Sequence, residues 1–585
     1  MTPIRRLLLV VCVAATAATL HAQTTSATTK KTPPPAAVST NPETSPAQPG
    51  QKVEVDEAYT TPVTADTDKD VSNPRSLKLS LDDAIKTAMS QNIGVELQRY
   101  TYRESGESLR EAWGPFDWFT TADLEHQSNR TPTISAFQAS GRRTTFANLG
   151  LSQLLPTGGT YQVAFDNSRS AQSGGGTLFS PAYSSSFNIG LTQPLARNFG
   201  IDVTRRSIAI ARNTLGINNE AFRLLLMNTT VSVEQAYLNL IYARRFVDVQ
   251  KEALFLARDQ GRITQIRINV GASAPLDILQ PRVQIATTEE QLIAAVAAVR
   301  DAEDQLRALL NLPPADWDRP IVPTDTVTYT PMAIDVESSV SQALELRPEL
   351  RENKLTTENA RVQAMYARNQ VLPRVDALLN YGTAGLAGDL SDPTTGELVS
   401  STRWHRAFRD VLTSKFPSWT VGAQIAIPVL NIGARAEARR SELEVDRTRA
   451  LEDQTRQNIA VDVRKTSRDI DTLSKEIVAT RTAREAAEKN LDAERKRYEN
   501  GMTTIFQVLQ IQQQLSDARA RELQALVQYN QSVANYHRSV GDLLDVRNIK
   551  VEPETVEEPR ILSFFDRHSG LYFESKDNSS AEQKK

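Results

Sequence analysis

The residue types that usually carry chemistry do not assemble in this chain. Its five histidines, His21, His126, His405, His537 and His568, lie far apart, with no metal-ligand spacing and no catalytic partner pattern. Cys12 is the only cysteine. It falls in a segment expected to be removed, which would leave no disulfide, no thiolate zinc ligand and no cysteine nucleophile. Val10 and Val11 precede it where a lipid-attachment signal wants a small residue. Gly174-Gly175-Gly176 sits in a Ser-rich loop rather than between a strand and a helix, so it is no phosphate cradle. No enzyme, cofactor or metal is expected. Two other glycines do have a job that spacing reveals. Gly271 and Gly501 each interrupt a long helical pattern, where a tight reversal favours φ > 0.

These two glycines belong to a duplication. Leu81-Asp82-Asp83-Ala84-Ile85 and Val336-Glu337-Ser338-Ser339-Val340 each open a half with a helix, and Ala88 matches Ala343 at an offset of 255. Gln193-Pro194-Leu195 and Ile427-Pro428-Val429 each end a strand, at an offset of 234. Asn269-Val270-Gly271 matches Glu499-Asn500-Gly501 at an offset of 230, and Ile278-Leu279 then falls on Val508-Leu509. Steady offsets with two jumps mean one unit stated twice with two length changes. The first jump assigns 21 extra residues to the first half. Pro156-Thr157-Gly158-Gly159, flanked by Leu149 to Leu151 and Tyr161 to Phe165, predicts a β-hairpin there.

Six segments alternate apolar with polar or small residues, including Phe116 to Leu124, where Phe119 breaks the pattern, Tyr161 to Phe165, Phe187 to Leu191, Val375 to Tyr381 and Trp419 to Ile427. The sixth, Phe146 to Leu155, is the least regular, and Leu154 is out of phase with Leu149 and Leu151. Period 2 predicts strands with one apolar and one polar face. A soluble sandwich and a membrane barrel both satisfy it. Trp113, Phe116, Trp118 and Phe119 cluster as an interfacial aromatic girdle would, which favours the barrel. Four to six strands are too few to close one, so copies from other subunits are needed.

The helical patterns from Val203 to Asn269 and from Ala436 to Tyr498 contain no proline. At ~1.5 Å per residue each would run to roughly 90–100 Å, beyond any ordinary domain. Ile278, Ile285, Leu292, Val299 and Leu306 recur every seven residues. So do Val508, Leu515, Tyr529, Tyr536 and Leu543, with Glu522 breaking the series. A heptad predicts coiled-coil packing with left-handed supercoil, with Arg300, Asp301, Arg307, Arg449 and Glu452 on the opposite faces. The helices alone fit an exported coiled-coil scaffold without a pore. Helical hairpins with paired strands, stated twice, favour a tunnel.

Outside this body, residues 1–22 read as a secretory signal, with Arg5 and Arg6 before an apolar stretch and Ala22 before the cut. Residues 23–76 are a Pro/Thr/Ser-rich tether expected to be disordered. Residues 313–333 link the halves, and 546–585 form a polar tail apart from Phe564-Phe565. The net charge of −3 falls to −5 without the signal, which is no nucleic-acid footprint.

Residues 77–545 resemble the TolC-like outer-membrane efflux proteins. The resemblance is carried by Leu79-Ser80-Leu81-Asp82-Asp83-Ala84-Ile85, Leu346-Arg347-Pro348-Glu349-Leu350, Pro428-Val429-Leu430-Asn431-Ile432-Gly433 and Tyr498-Glu499-Asn500-Gly501 with Val508-Leu509. It implies a mainly α fold with a shared membrane β-barrel over a long α-helical coiled-coil barrel. The repeats would be 77–312, with strands about 116–195 and a tip about 271, and 334–545, with strands about 374–428 and a tip about 501. It also implies a homotrimer in the cell outer membrane, in contact with lipid and with a long periplasmic extension. Such a trimer would be the exit duct of a tripartite efflux pump or type I secretion system. Its partners would be a periplasmic adaptor and an inner-membrane pump, with no nucleic acid. Pro194, Pro428 and Gly433 would form the strand-to-helix turns. In the family the pore end is narrowed by tip aspartates. Asp277 fits the first, although its place after Pro275 also fits a helix N-cap. Tyr498 fits the tyrosine that pairs with it. Gln507 and Gln510 stand where second-tip aspartates often sit, so an acidic ring would be incomplete.

Overall fold

The computed structural model describes residues 66–132, 134, 140–173, 179–392, 395, 397–551 and 556. All belong to the unit Val55–Lys585; the expected signal and the unit Met1–Glu54 lie outside the described residues. The first half runs through α1 (Asp66–Ser72), β1 (Leu77–Leu79), α2 (Leu81–Gln91) and α3 (Ile93–Glu111) into β2 (Phe119–Arg130), β3 (Gly141–Leu154), β4 (Thr160–Ser173) and β5 (Phe179–Pro194). A short turn, α4 (Ile201–Thr204), leads to α5 (Arg206–Asn269), which reverses into α6 (Leu279–Leu310). The second half has β6 (Ile321–Pro323), α7 (Val336–Leu346), α8 (Pro348–Gln370), β7 (Arg374–Ser391), β8 (Leu398–Ser401), α9 (Trp404–Leu412) and β9 (Pro417–Ala426). It closes with α10 (Ile432–Glu499), α11 (Ile505–Val540) and α12 (Leu543–Val546).

The duplication extends to single dihedrals. Asn92 joins α2 to α3 with φ −62, ψ 126, and Arg347, 255 residues on, joins α7 to α8 with φ −61, ψ 124. Each donates its backbone N–H to an equivalent carbonyl, Ala88 and Ala343. One extended residue thus breaks each helix at the same point, and Pro348 can follow because the first helical position needs no N–H partner. β1 and β6 pair in parallel, tying the starts of the halves together.

α5 and α10, of 64 and 68 residues, would each measure about 100 Å. No single partner is as long. α5 packs along α6 and then along α3, and α10 along α11 and then along α8. On α6 the buried stripe is Leu292, Ala295, Val299, Ala302 and Leu306; on α11 it includes Val508, Leu515, Tyr529 and Tyr536. Glu522 breaks the heptad because it accepts hydrogen bonds from Arg481 and Arg484 on α10. Two expected surface cations are engaged in ion pairs instead, and one of them is covered. Arg307 is buried, bonded to Glu303, Asp304 and the Arg319 carbonyl, and Arg300 pairs with Asp70 and Glu303. Asp70 lies in α1, within the segment expected to be a disordered tether. Its carboxylate lies within reach of both Arg244 and Arg300, so this part of the segment docks through Thr67 and Asp70, both buried.

The expected tail also begins late. Arg547 forks onto the buried Glu234 at 2.7 and 2.8 Å, and Ile549 and Val551 pack beside Val95, Leu226 and Met227. A buried carboxylate requires a partner, and that requirement holds the chain down past Val546. The rest of the tail, Phe564-Phe565 included, lies outside the described residues.

All six long strands lie in one antiparallel sheet ordered β2-β3-β4-β5-β7-β9, with the short β8 beside the loop end of β7. The hairpin β3–β4 therefore inserts between β2 and β5. Its turn lies at the helix end, since Gly158 (φ +88) packs against the Asn198 carbonyl and Thr204. The 21-residue offset is a net figure: the second half has no such hairpin but spends part of the difference on β8 and α9.

Candidate functional site

The pairing registers sort the sheet into two chemically distinct faces. Leu149, Phe165, Phe187 and Thr383 form one cross-strand row, and Leu151, Val163, Ile189 and Tyr381 the next. Trp419, Val421 and Ile425 continue this face on β9, and Ala122 and Leu124 on β2, which Trp118 immediately precedes. The opposite face carries Thr121, Asp123, Glu125, Asn148, Gln162, Asp166, Ser186, Asn188, Asn380, Thr420 and Gln424. The irregular segment explains itself here. Leu154 points to the polar side, at the helix end, where it packs against Trp113, Phe116 and Ile208. Trp113 and Phe116 are accordingly core residues and not girdle residues. Trp118 and Phe119 are exposed, with Trp118 set edge-on to Tyr161 at 5.6 Å.

Both outer strands are bare. Every residue of β2 and nearly every residue of β9 is exposed. Each presents an unpaired row of N–H and C=O groups, which a lone sheet does not tolerate over such lengths.

The strand-to-helix turns differ from the expected residues. Pro194 ends β5 and Pro428 follows β9. Gly433, however, lies inside α10 with open space around it. The left-handed residue is Asn431 (φ 46), whose amide donates to the Val371 carbonyl at 2.8 Å; Asn198 (φ 65) plays the same part in the first half. Asparagine is the usual substitute for glycine in this conformation, and that was the missed signal.

At the other end the two helix tips close alike. Gly271 (φ +76) and Gly501 (φ +72) are left-handed, and the next residues, Ala272 and Met502, donate to the carbonyls of Arg267 and Arg497 at 2.7 and 2.9 Å. This is the Schellman closure, in which glycine removes the Cβ penalty. Asp277 sits in the 3₁₀ turn Pro275–Ile278 and accepts the Ala274 N–H at 3.1 Å, so in this chain it caps a helix. No hydrogen bond joins Asp277 to Tyr498 among the described residues. Tyr498 is buried against Leu491, Val508 and Ile511, and its ring lies under the Arg267 guanidinium. Gln507 and Gln510 are exposed. Sequence reasoning missed Arg267, which bridges the tips, and a group of exposed apolar side chains around both turns: Val270, Leu276, Met502 and Phe506. These fall outside the heptads, and an apolar residue with no place in a heptad was the signal available.

Above the tips the hairpins are joined by charge. Arg519 contacts Glu252 at 2.6 Å and Glu488 at 3.1 Å, and Glu488 also accepts from Arg484 at 3.0 Å. Burial works against ionisation of Glu488, but the two arginine hydrogen bonds win and lower its pKa. Among the described residues no group of His, Cys, Asp and Glu could hold a metal ion, and no helix is long and apolar enough to cross a membrane.

A family model described as outer membrane efflux protein matches residues 144–312 and 339–542, one stretch in each half. The chain belongs to the outer membrane efflux protein family. Its members are channels and not enzymes, and the chain is an outer-membrane channel of the TolC-like kind. Solved structures share the fold at low sequence identity. The CmeC outer membrane channel of Campylobacter jejuni has a TM-score of 0.58 at 14% identity, over 83% of this chain and 89% of that one. The outer membrane protein VceC of Vibrio cholerae gives 0.56 at 14%, over 79% and 96%. The open state of the MtrE channel of Neisseria gonorrhoeae gives 0.54 at 16%, over 81% and 91%. No curated protein sequence matches the chain significantly.

Proposed function

We propose that three copies of this outer membrane efflux protein close one membrane barrel, continue it as a periplasmic helical tunnel, and serve as the exit duct of an efflux pump or type I secretion system. The observation that carries this reading is the pair of bare edges, β2 and β9. With an even number of strands, all antiparallel, the two edges run in opposite directions. β9 of one copy can therefore pair antiparallel with β2 of the next, and no edge remains. Six long strands per copy make about 18 in a trimer, in place of about 12.

The faces then find their solvents. The apolar side, from Val375 to Thr383 on β7, spans about 30 Å of strand. At the ~40° tilt usual in such barrels this covers about 23 Å of bilayer, close to the ~25 Å apolar band they show. The polar side lines the lumen. Asp123, Glu125 and Asp166 make that lining net acidic without any site that would select a substrate. A scaffold without a pore has no use for a sheet with one wet and one dry face.

The helix tips lie at the far end, where a periplasmic adaptor would meet Val270, Leu276, Met502 and Phe506. Gly271 and Gly501 shape the surface, Arg267 ties the two tips together over the buried Tyr498, and Asp277, Gln507 and Gln510 are the polar groups beside the opening. Light scattering of the detergent-solubilised protein, with heat-modifiable gel migration, tests the assembly. A trimer that migrates faster unheated is expected; a folded monomer would overturn the reading.

A further inference from the structure

α9 (Trp404–Leu412) lies flat on the apolar face of the sheet, on the side proposed above to meet lipid. Its seat is built in. Small residues, Ser185, Gly385 and Ala387, floor it, and a Cβ at Gly385 would stand 2.0 Å from the Ala407 carbonyl oxygen. Phe408 meets Phe165 at 5.7 Å, and the Trp404 indole N–H donates to Asn167 at 3.0 Å. The helix descends along β7. Thr402 bonds to Gly388 near the loop end, the Val411 carbonyl accepts from Thr383, and Ser414 meets the Tyr381 hydroxyl.

The outward residues change character along this descent. Arg403, His405, Arg406 and Arg409 are exposed first. Leu412, Phe416, Trp419 and Val421 follow, all exposed and all apolar. No ion pair engages the guanidinium of Arg403, Arg406 or Arg409 among the described residues. On the same face Arg169 shares a cross-strand row with Tyr183 and Ala387, level with the upper turn of α9, and Arg143 lies one row further out. Of the carboxylates at this level, Asp410 is buried beside Lys415 at 3.6 Å, and Asp389 accepts the Ser401 hydroxyl, so one acidic charge stands against the arginines. Asp392 and Glu397 lie beyond, in the β7–β8 loop.

A cationic belt bordering an apolar band on a lipid-facing surface matches one partner by charge and by depth. We propose that α9 and its neighbouring arginines bind the phosphorylated headgroups of the outer leaflet, with Arg403, Arg406 and Arg409 as the principal contacts. The helix is an interfacial amphipathic helix carried on the barrel wall. Its apolar side is already satisfied by the sheet, so its arginines are free to reach phosphates while their stems cover hydrocarbon. Cations near an anionic lipid surface each add attraction that short-range salt screens. This inference rests on the barrel orientation proposed above.

The test uses the full chain, purified as the trimer in neutral detergent, with bis-phosphorylated hexa-acyl lipid A as probe. Binding is counted by native mass spectrometry beside the dephosphorylated lipid and inorganic phosphate. The wild type should hold the bis-phosphorylated lipid and neither control. The triple variant Arg403→Gln, Arg406→Gln, Arg409→Gln should weaken binding at least about tenfold, and the matching Lys triple by no more than about threefold. Equal binding of both lipids, wild-type binding by the Gln triple, or full displacement by inorganic phosphate overturns the belt. A trimer that conducts while failing these tests removes only this proposal. A chain that forms no conducting trimer removes the channel reading and the belt together.

Discussion

The guanidinium of Arg267 lies 4.3 Å from the centre of the Tyr498 ring and donates to the Tyr498 and Glu499 carbonyls at 3.1 and 3.2 Å. One side chain thus holds the end of the first long helix to the end of the second. It adds a second donor to the Tyr498 carbonyl, which already accepts the Gly501 N–H at 3.1 Å, and it reaches the Glu499 carbonyl at the end of α10, with a charge of the sign that a helix C-terminus favours.

Arg267→Ala should therefore loosen the tip. A cation–π contact and charge-assisted hydrogen bonds together contribute about 1–3 kcal/mol. Open probability in planar bilayers should rise several-fold, and cells should become more sensitive to large antibiotics. Lysine at this position should restore part of the closure, since it keeps the charge but not the fork. Unchanged conductance in both variants would remove the tip from the gate.

The exposed apolar side chains at the turns predict a second outcome. Leu276→Asp, Met502→Asp and Phe506→Asp should each weaken binding of the purified adaptor about tenfold or more, because a buried apolar anchor is replaced by a desolvated charge. The trimer should survive, as these side chains are exposed and belong to none of the core clusters. Wild-type affinity in all three variants would place the docking surface elsewhere.

Cysteine labelling locates the ends of the sheet. Gly158 is a poor site for it, since any Cβ there would stand 2.2 Å from the Asn198 carbonyl oxygen at φ +88. Thr160, exposed beside the same turn, and Ser140, exposed at the loop end, are suitable. With Thr160→Cys an impermeant maleimide should react only after the outer membrane is broken. Ser140→Cys should react in intact cells. The reverse pattern would invert the barrel.

A fourth prediction concerns pH. Burial raises the pKa of Glu352 above its ordinary 4.5, and Glu349 and Glu220 raise it further. The folded chain therefore resists ionising this carboxyl more than the unfolded chain does. Below pH 4.5 both states are protonated and nothing is lost; as pH rises towards neutrality the folded state is penalised. Glu352→Gln should raise the helical melting midpoint by ~1–3 °C at pH 7 and leave it unchanged near pH 4. A gain that persists at pH 4 would mean packing and not charge.

Much of this was legible in advance, for reasons tied to particular residues. Gly271 and Gly501 were readable because a left-handed turn leaves few choices of residue. The strands were readable because alternation at Tyr161, Val163 and Phe165 has no helical explanation. What escaped was set by distant partners. Arg300 and Arg307 look like solvent-facing cations until α1 and the Arg319 carbonyl are brought over them. Trp113 and Phe116 look like a girdle until Ile208 and Leu154 close on them. Helix α9 could not be seen at all, because a basic nine-residue stretch acquires its meaning only from the sheet beneath it.

The inserted hairpin has a consequence for how such a channel can diversify. β3 and β4 enter between β2 and β5, so the strands that would meet neighbouring copies are the same with or without them. Because barrel diameter grows with strand number, going from four to six strands per copy would widen the opening about 1.5-fold. In the trimer proposed above, aperture and subunit recognition would therefore be inherited separately. A single in-frame insertion at an interior seam can change what fits through the membrane, while the surfaces by which copies know one another are left as they were.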